Sequence, residues 1–245
     1  MTETDRDGWS DVAEEWALLW GGHAAPAQEA VIVACDIGSG TRVLDVGCGS
    51  GEFLKRVRAR GATASGIDPA PGMVALAEGD VRVGTFDHLP WPDGSFDVVT
   101  AFNALQFAVD PVKALREAAR VVTPGGLVAV SNWAEGNLND LDVIEAAVAA
   151  ADGQDQLPDG ALRPEGGIAA AFALSGLKPV TAGVVDVPWS APDKATLIRG
   201  VLLGEDVATM AETAPVVVAA ARPFRLPDGG YRLENAFRYG VARVP

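Results

Sequence analysis

From residue 40 to residue 132, short apolar runs alternate with stretches in which apolar side chains recur every three or four positions. That alternation predicts strands followed by helices. The first strand ends near residue 46 and leads into a helix over 52–60, which puts Phe53, Leu54 and Val57 on one face, turns Lys55, Arg56 and Arg58 outward and stops at Gly61. Strands are expected at 62–67, 81–85, 96–102 and 127–132, with a short helix at 71–77. A longer helix opens at Asp110-Pro111 and repeats Val112, Leu115, Ala119 and Val122 on one side. Such a series builds an α/β fold with a parallel, doubly wound sheet and right-handed crossovers.

The flanks are less regular. Trp9, Val12, Trp16, Leu19 and Trp20 follow helical spacing and predict an amphipathic helix with an aromatic stripe, and an apolar helical pattern at 26–37 ends at the breaker Gly38-Ser-Gly40. Beyond residue 133 the patterns predict helices at 138–151, 164–174, 194–203 and 206–221 and strands at 180–187 and 232–244, with a loop rich in Gly, Asp and Pro after residue 151.

The chemistry concentrates where the first strand meets its helix. Gly47, Gly49 and Gly51 would let the backbone approach a ligand closely, and the free N–H groups of the following helix face the same turn. A dinucleotide fingerprint needs a third glycine where Glu52 stands, and a carboxylate there would repel a pyrophosphate. Asp45, at the end of the strand, would instead welcome an ammonium group. Asp68, about twenty residues after the turn, is placed to accept hydrogen bonds from both hydroxyls of a ribose. The expected ligand is amino-acid-like at one end and ribose-bearing at the other.

With these residues in view the sequence resembles the class I S-adenosylmethionine-dependent methyltransferases, in particular the small-molecule branch known as type 11. The resemblance lies in Val43-Leu-Asp-Val-Gly-Cys-Gly-Ser-Gly51, Gly66-Ile-Asp-Pro69 and Leu89-Pro-Trp-Pro-Asp-Gly-Ser-Phe-Asp-Val-Val99, and covers roughly residues 40–132. It implies a Rossmann-like, seven-stranded, mostly parallel sheet with an antiparallel C-terminal edge strand and helical lid elements. One domain would span 1–245: an N-terminal helical lid (1–37), a cofactor-binding core (38–133), and acceptor-side helices with the last two strands (134–245). The cofactor would be S-adenosyl-L-methionine, released as S-adenosyl-L-homocysteine. Its pocket would be formed by Asp45, Gly47, Cys48, Gly49, Gly51, Asp68, Pro69 and Met73, by Phe86, Asp87, His88 and Leu89 on the adenine side, and by Asn103 at the methionine end. The N-terminal helix would close over that end, whereas the pattern alone fits a helix simply packed on the sheet.

The activity implied is methyl transfer to a small organic acceptor with an O, N or C nucleophile, an in-line displacement that positioning can drive without an obligatory motif. A base is required only where the acceptor must lose a proton. Family members often carry histidine where Gln106 stands, so His23 and Gln106 are weak catalytic candidates and no base is assigned. Trp16, Trp20, Gln106, Trp133 and Trp189 are candidates for the acceptor wall, whose aromatic surfaces would suit a planar or apolar molecule. Three rivals remain: a cofactor-binding protein without turnover, an enzyme that uses the bound sulfonium in a cyclisation or elimination, and a nicotinamide-dependent oxidoreductase, which Glu52 disfavours.

Composition narrows the partners. The chain has 245 residues, 49% of them apolar, and a net charge of −14 with no basic cluster, so a nucleic acid acceptor is disfavoured. No Asn-Pro-Pro-Tyr sequence of the kind that marks amino methylation follows the fourth strand. The two cysteines, the missing signal segment and the shortness of every apolar run predict a cytoplasmic protein, monomeric or homodimeric, without membrane partner or metal.

Overall fold

The structure, a computed structural model, describes residues 8–154 and 159–245. Residues 1–7 of the expected lid and 155–158 of the loop after residue 151 lie outside the described residues. The elements that carry the sheet are β1 (Arg42–Val46), β2 (Thr63–Asp68), β3 (Asp80–Val83), β4 (Phe96–Phe102), β5 (Val122–Trp133), β6 (Lys178–Asp186) and β9 (Ala236–Arg243). They form one seven-stranded sheet in the order β3-β2-β1-β4-β5-β9-β6.

The order changes direction beside β1. Val43 pairs with Ala64 of β2 on one side and with Val98 of β4 on the other, both parallel. A crevice at the carboxyl ends of strands is the place where such sheets bind ligands. The antiparallel strand is the C-terminal one, and it lies one place in from the edge: β9 runs against β5 and against β6, which forms the border. Apolar clusters fill both faces. Leu44, Val46, Ile67, Val99, Val128 and Phe172 pack on one side, and Val43, Phe53, Leu54, Val57, Val98 and Val241 on the other. Fully burying each side chain of this size contributes roughly 1.5–3 kcal/mol.

The chain between β5 and β9 builds a wall with its own core. Helices Asp140–Ala151, Lys194–Val201 and Val207–Ala220 enclose Ile144, Leu197, Val217 and Leu233, together with a two-stranded antiparallel ribbon of β7 (Trp189–Ala191) and β8 (Tyr231–Leu233). The single strand expected over 232–244 is therefore two strands in two sheets. Asn235 makes the break: its side-chain oxygen accepts from Leu141 N at the start of helix Asp140–Ala151, and its backbone oxygen accepts from Val187 N. Asn139 closes the same junction, donating to Ala134 O and Glu135 O and accepting from Ala236 N. Among the described residues no helix is long and apolar enough to cross a membrane.

Candidate functional site

The turn after β1 is shaped by hydrogen bonds that its own sequence makes possible. Gly47 N and Cys48 N both donate to Ile67 O, and Gly47, Gly49 and Gly51 all have left-handed φ, at 72°, 53° and 89°. Their roles differ. A Cβ on Gly47 would stand 2.3 Å from the Cβ of Ala104 and one on Gly51 would stand 3.0 Å from that of Ala77, so these two are required by packing. A Cβ on Gly49 would meet only the ring of Trp16, at 3.4 Å, across the open side of the turn.

Asp68 ties the turn to the next strand. Its Oδ2 accepts from Gly49 N at 2.9 Å and its Oδ1 from Ala70 N at 2.9 Å, next to the start of helix Pro71–Leu76. It is thus both a cap for the local backbone and a carboxylate on the cavity wall, with lone pairs left for a ligand. Burial raises its pKa, against the two backbone N–H groups that lower it. Asp45, 2% exposed, accepts from Thr100 Oγ1 at 2.6 Å. Desolvation drives its carboxyl well above the usual range, Thr100 opposes this, and the nearby charges of Asp68 and Glu52 add to it.

These groups face one cavity of about 830 Å³. The structure brings Asp45, Gly47, Cys48, Gly49, Asp68, Pro69, Met73, Phe86, Asp87 and Asn103 to its wall, as well as Trp16, Trp20, His23, Gln106 and Trp133. Asn103 holds a left-handed φ of 50°, rare for a residue other than glycine. Its backbone N donates to Ser131 O, and its own carbonyl accepts from Gln106 Nε2.

Four expected residues are placed elsewhere. Gly51 packs on Ala77 instead of facing the cavity. His88 is exposed, and Leu89 is buried in the core beneath the sheet. Leu89 N donates to Glu117 and Leu89 O accepts from Arg120, which also binds Asp93 and Trp91 O, so this segment is anchored to helix Pro111–Val121. Trp189 stacks behind Trp20, with ring centroids 4.6 Å apart, and donates to Leu19 O. Asp11, Glu52 and Glu205, which carried no expectation as ligand groups, do reach the wall. Only Glu52 had a signal in the sequence, as the residue that breaks the dinucleotide pattern.

His23 sits among Trp20, Trp133 and Phe237, with centroids 5.2–5.5 Å away, and neither ring nitrogen has a hydrogen-bond partner among the described residues. Burial lowers its pKa from 6.5 to about 4, and the nearby Pro188 carbonyl only partly offsets this. Between those two values the unfolded chain binds a proton that the folded one refuses. The stability linked to His23 is therefore present above about pH 6.5 and lost as pH falls toward 4, by on the order of 3 kcal/mol. The difference in unfolding free energy between the native protein and His23→Phe should change by that amount across this window in urea titrations. A constant difference would show that the imidazole is not held neutral.

The N-terminal helix Ala13–Leu19 contributes Trp16 to the cavity wall, with Val12 and Trp20 on either side of the helix also lining it. Ala13 packs with Ala70 and Met73, Gly72 N donates to Ser10 Oγ, Glu15 pairs with Arg199, and Trp20 Nε1 donates to Gly200 O. It bridges helix Pro71–Leu76 and the wall helix Lys194–Val201.

Residues 44–130 match the family profile described as a methyltransferase domain. Over 108 residues the chain is 38% identical to the malonyl-[acyl-carrier protein] O-methyltransferase of Yersinia pestis, a match covering 42% of this chain and 40% of that one. The chain spans well under half the length of the first curated relatives it matches. Two solved structures share the fold. One is a chain from the complex of the Haloferax volcanii Trm112 methyltransferase activator, with a TM-score of 0.62 and 24% identity over 98% of both chains. The other is the [4+2]-cyclase SpnF, with a TM-score of 0.60 and 19% identity over 89% of this chain and 80% of that one. The glycine turn, the sheet order and these matches are those of the class I S-adenosylmethionine-dependent methyltransferases, which residues 44–130 resemble. S-adenosyl-L-methionine is the cofactor of that class.

Proposed function

We propose that the protein methylates a small organic acceptor at an O, N or C nucleophile, using S-adenosyl-L-methionine and releasing S-adenosyl-L-homocysteine. The observation that carries this reading is the charge of the cavity. Among the described residues Asp11, Asp45, Glu52, Asp68, Asp87 and Glu205 line it, and no Lys or Arg does. Such a wall repels a pyrophosphate and attracts a ligand with a sulfonium and an ammonium group. When bound, the cofactor supplies an electrophilic methyl group that the acceptor's lone pair attacks as the sulfur leaves with its electron pair.

The chain's own residues bind and orient. Asp68 holds the ribose, Asp45 and Glu52 face the ammonium end, and Met73, Phe86 and Asp87 border the adenine. Gln106 has no basicity at neutral pH, and an imidazole with a pKa of about 4 is a weak base, so positioning is left as the main source of acceleration. Cys35 and Cys48 are free and buried, which fits a reducing, cytoplasmic setting. The deciding experiment incubates the protein with methyl-labelled cofactor and a panel of small acceptors. Label appearing in an acceptor supports transfer, whereas tight binding without label in any product would favour a cofactor-binding protein without turnover.

The N-terminal helix acts in this reading as a lid. A helix this short is marginal in water and draws its order from what it packs against. Cofactor binding is expected to slow amide exchange over residues 9–23. Equal exchange with and without cofactor would reduce these tryptophans to ordinary packing.

A further inference from the structure

We propose that Gln28, held in place by Arg56, receives the carboxylate of the cofactor's amino-acid tail, so that the site selects S-adenosyl-L-methionine over nucleosides that lack this group. The inference rests on the cofactor reading of the cavity and adds to it a donor for the one anionic group of the ligand.

That group is a difficulty for this cavity. The carboxylates that attract the sulfonium and the ammonium repel the tail's own carboxylate, and an arginine on the wall would hold it only by standing against the sulfonium. A neutral donor avoids both conflicts. Among the described residues three polar side chains on the cavity wall are themselves buried: Asp45, Asp68 and Gln28. Two are carboxyls, and the third is an amide that is 5% exposed.

The amide belongs to helix Ala25–Ala34, and its orientation is fixed from the neighbouring helix Glu52–Arg58. Arg56 Nε donates to Gln28 Oε1 at 3.2 Å. A guanidinium only donates, so the atom it meets is the oxygen and the amide nitrogen is at the other end. That nitrogen has no hydrogen-bond partner among the described residues, and unlike the ring nitrogens of His23 it retains surface, in a residue that lines the cavity. A nearly buried donor left unpaired is costly until an acceptor arrives. Arg56 is not on the wall itself, so its charge stays behind the amide and strengthens it as a donor.

The partner for the ammonium is close by. Glu52 precedes Arg56 by four positions, which puts the two side chains on one helix face, about 5–6 Å apart at Cβ. Glu52 Oε1 accepts from Ser50 Oγ at 2.5 Å, and a Cβ on Gly21, just past the N-terminal helix, would stand 2.8 Å from the same oxygen. An acceptor and a donor thus stand about one helical turn apart. An α-amino acid carries its ammonium and its carboxylate on one carbon, and this pair can take both at once.

The test is calorimetry on the full-length protein with three nucleosides. They are S-adenosyl-L-methionine, its decarboxylated form, which keeps the sulfonium and the ammonium, and methylthioadenosine, which lacks the whole tail. The native protein should bind S-adenosyl-L-methionine at least about tenfold more tightly than the decarboxylated form, as one hydrogen bond to a charged group predicts. Gln28→Leu should erase that preference and Gln28→Glu should invert it, while methylthioadenosine binds native protein and Gln28→Leu alike. Arg56→Leu frees the amide to turn over and should shrink the preference, which Arg56→Lys should restore. The inference is overturned by equal affinities in the native protein or by a preference that survives in Gln28→Leu. Should Gln28→Leu not fold, an unchanged preference in Arg56→Leu overturns it instead. If none of the three nucleosides binds the native protein, the cofactor reading falls and this one with it, whereas binding without the preference sinks this one alone.

Discussion

Gly49→Val is expected to abolish binding of S-adenosyl-L-methionine, with no saturation in a calorimetric titration that reaches millimolar cofactor. The position has a φ of 53°, a region where a β-branched residue is an outlier, at a cost of about 1–3 kcal/mol. The added Cβ would already stand 3.4 Å from the Trp16 ring, and the branched methyl groups would fill the space between the turn and that ring. Because the Trp16 ring is, among the described residues, the only near neighbour of that Cβ, the sheet should still form, which circular dichroism can confirm. Gly49→Ala adds only the Cβ and should weaken binding less. A Val variant that folds and binds normally would remove the turn from the cofactor site.

Asp68→Ala is expected to weaken cofactor binding by at least a hundredfold. Hydrogen bonds to a charged group contribute roughly 1.5–3 kcal/mol each, and two to the ribose would be lost together. The structure adds a second reason for a large effect. Gly49 N and Ala70 N lose their shared acceptor, so the turn itself loosens. Asp68→Asn separates the two contributions, since its single amide oxygen can still accept from one backbone N–H but carries no charge. Calorimetry on both variants decides the matter, and an unchanged dissociation constant in Asp68→Ala would refute the placement.

How much of this was legible in the sequence follows the range of the forces involved. Strand β4 was read at 96–102 as it stands, and the turn at Gly47, Gly49 and Gly51 was found, because apolar runs and glycine-dependent backbone are written locally. Asp68 followed from its distance to that turn. The misplacements share another cause. Trp189 carries the same apolar surface as Trp16, but which indole faces a cavity depends on the stacking of Trp20, and nothing beside Trp189 in the chain records that. Leu89 was drawn toward the cofactor by its motif, whereas the ion pair of Glu117 and Arg120 fixes its segment from another helix. The break at Asn235 depends on a hydrogen bond to Leu141, 94 positions away. Gln28 gave no signal either, because a polar residue early in a helix usually faces water, and only the assembled neighbourhood shows that Arg56 holds this one inside.

The place of β9 between β5 and β6 also bears on how the chain is made. Leu127 of β5 pairs with Arg243, and among the described residues β6 has no sheet neighbour except β9. On a ribosome, β1 to β5 can therefore assemble early, while β6 emerges without a strand to register against until the final strand follows. Such a long-range closure is slow, and an unpaired strand such as β6 is exposed to other chains while it waits. The turn at Gly47–Gly51 lies between β1 and β2 and needs no later strand, so an unfinished molecule could hold that turn in shape before its last two sheet strands were in place.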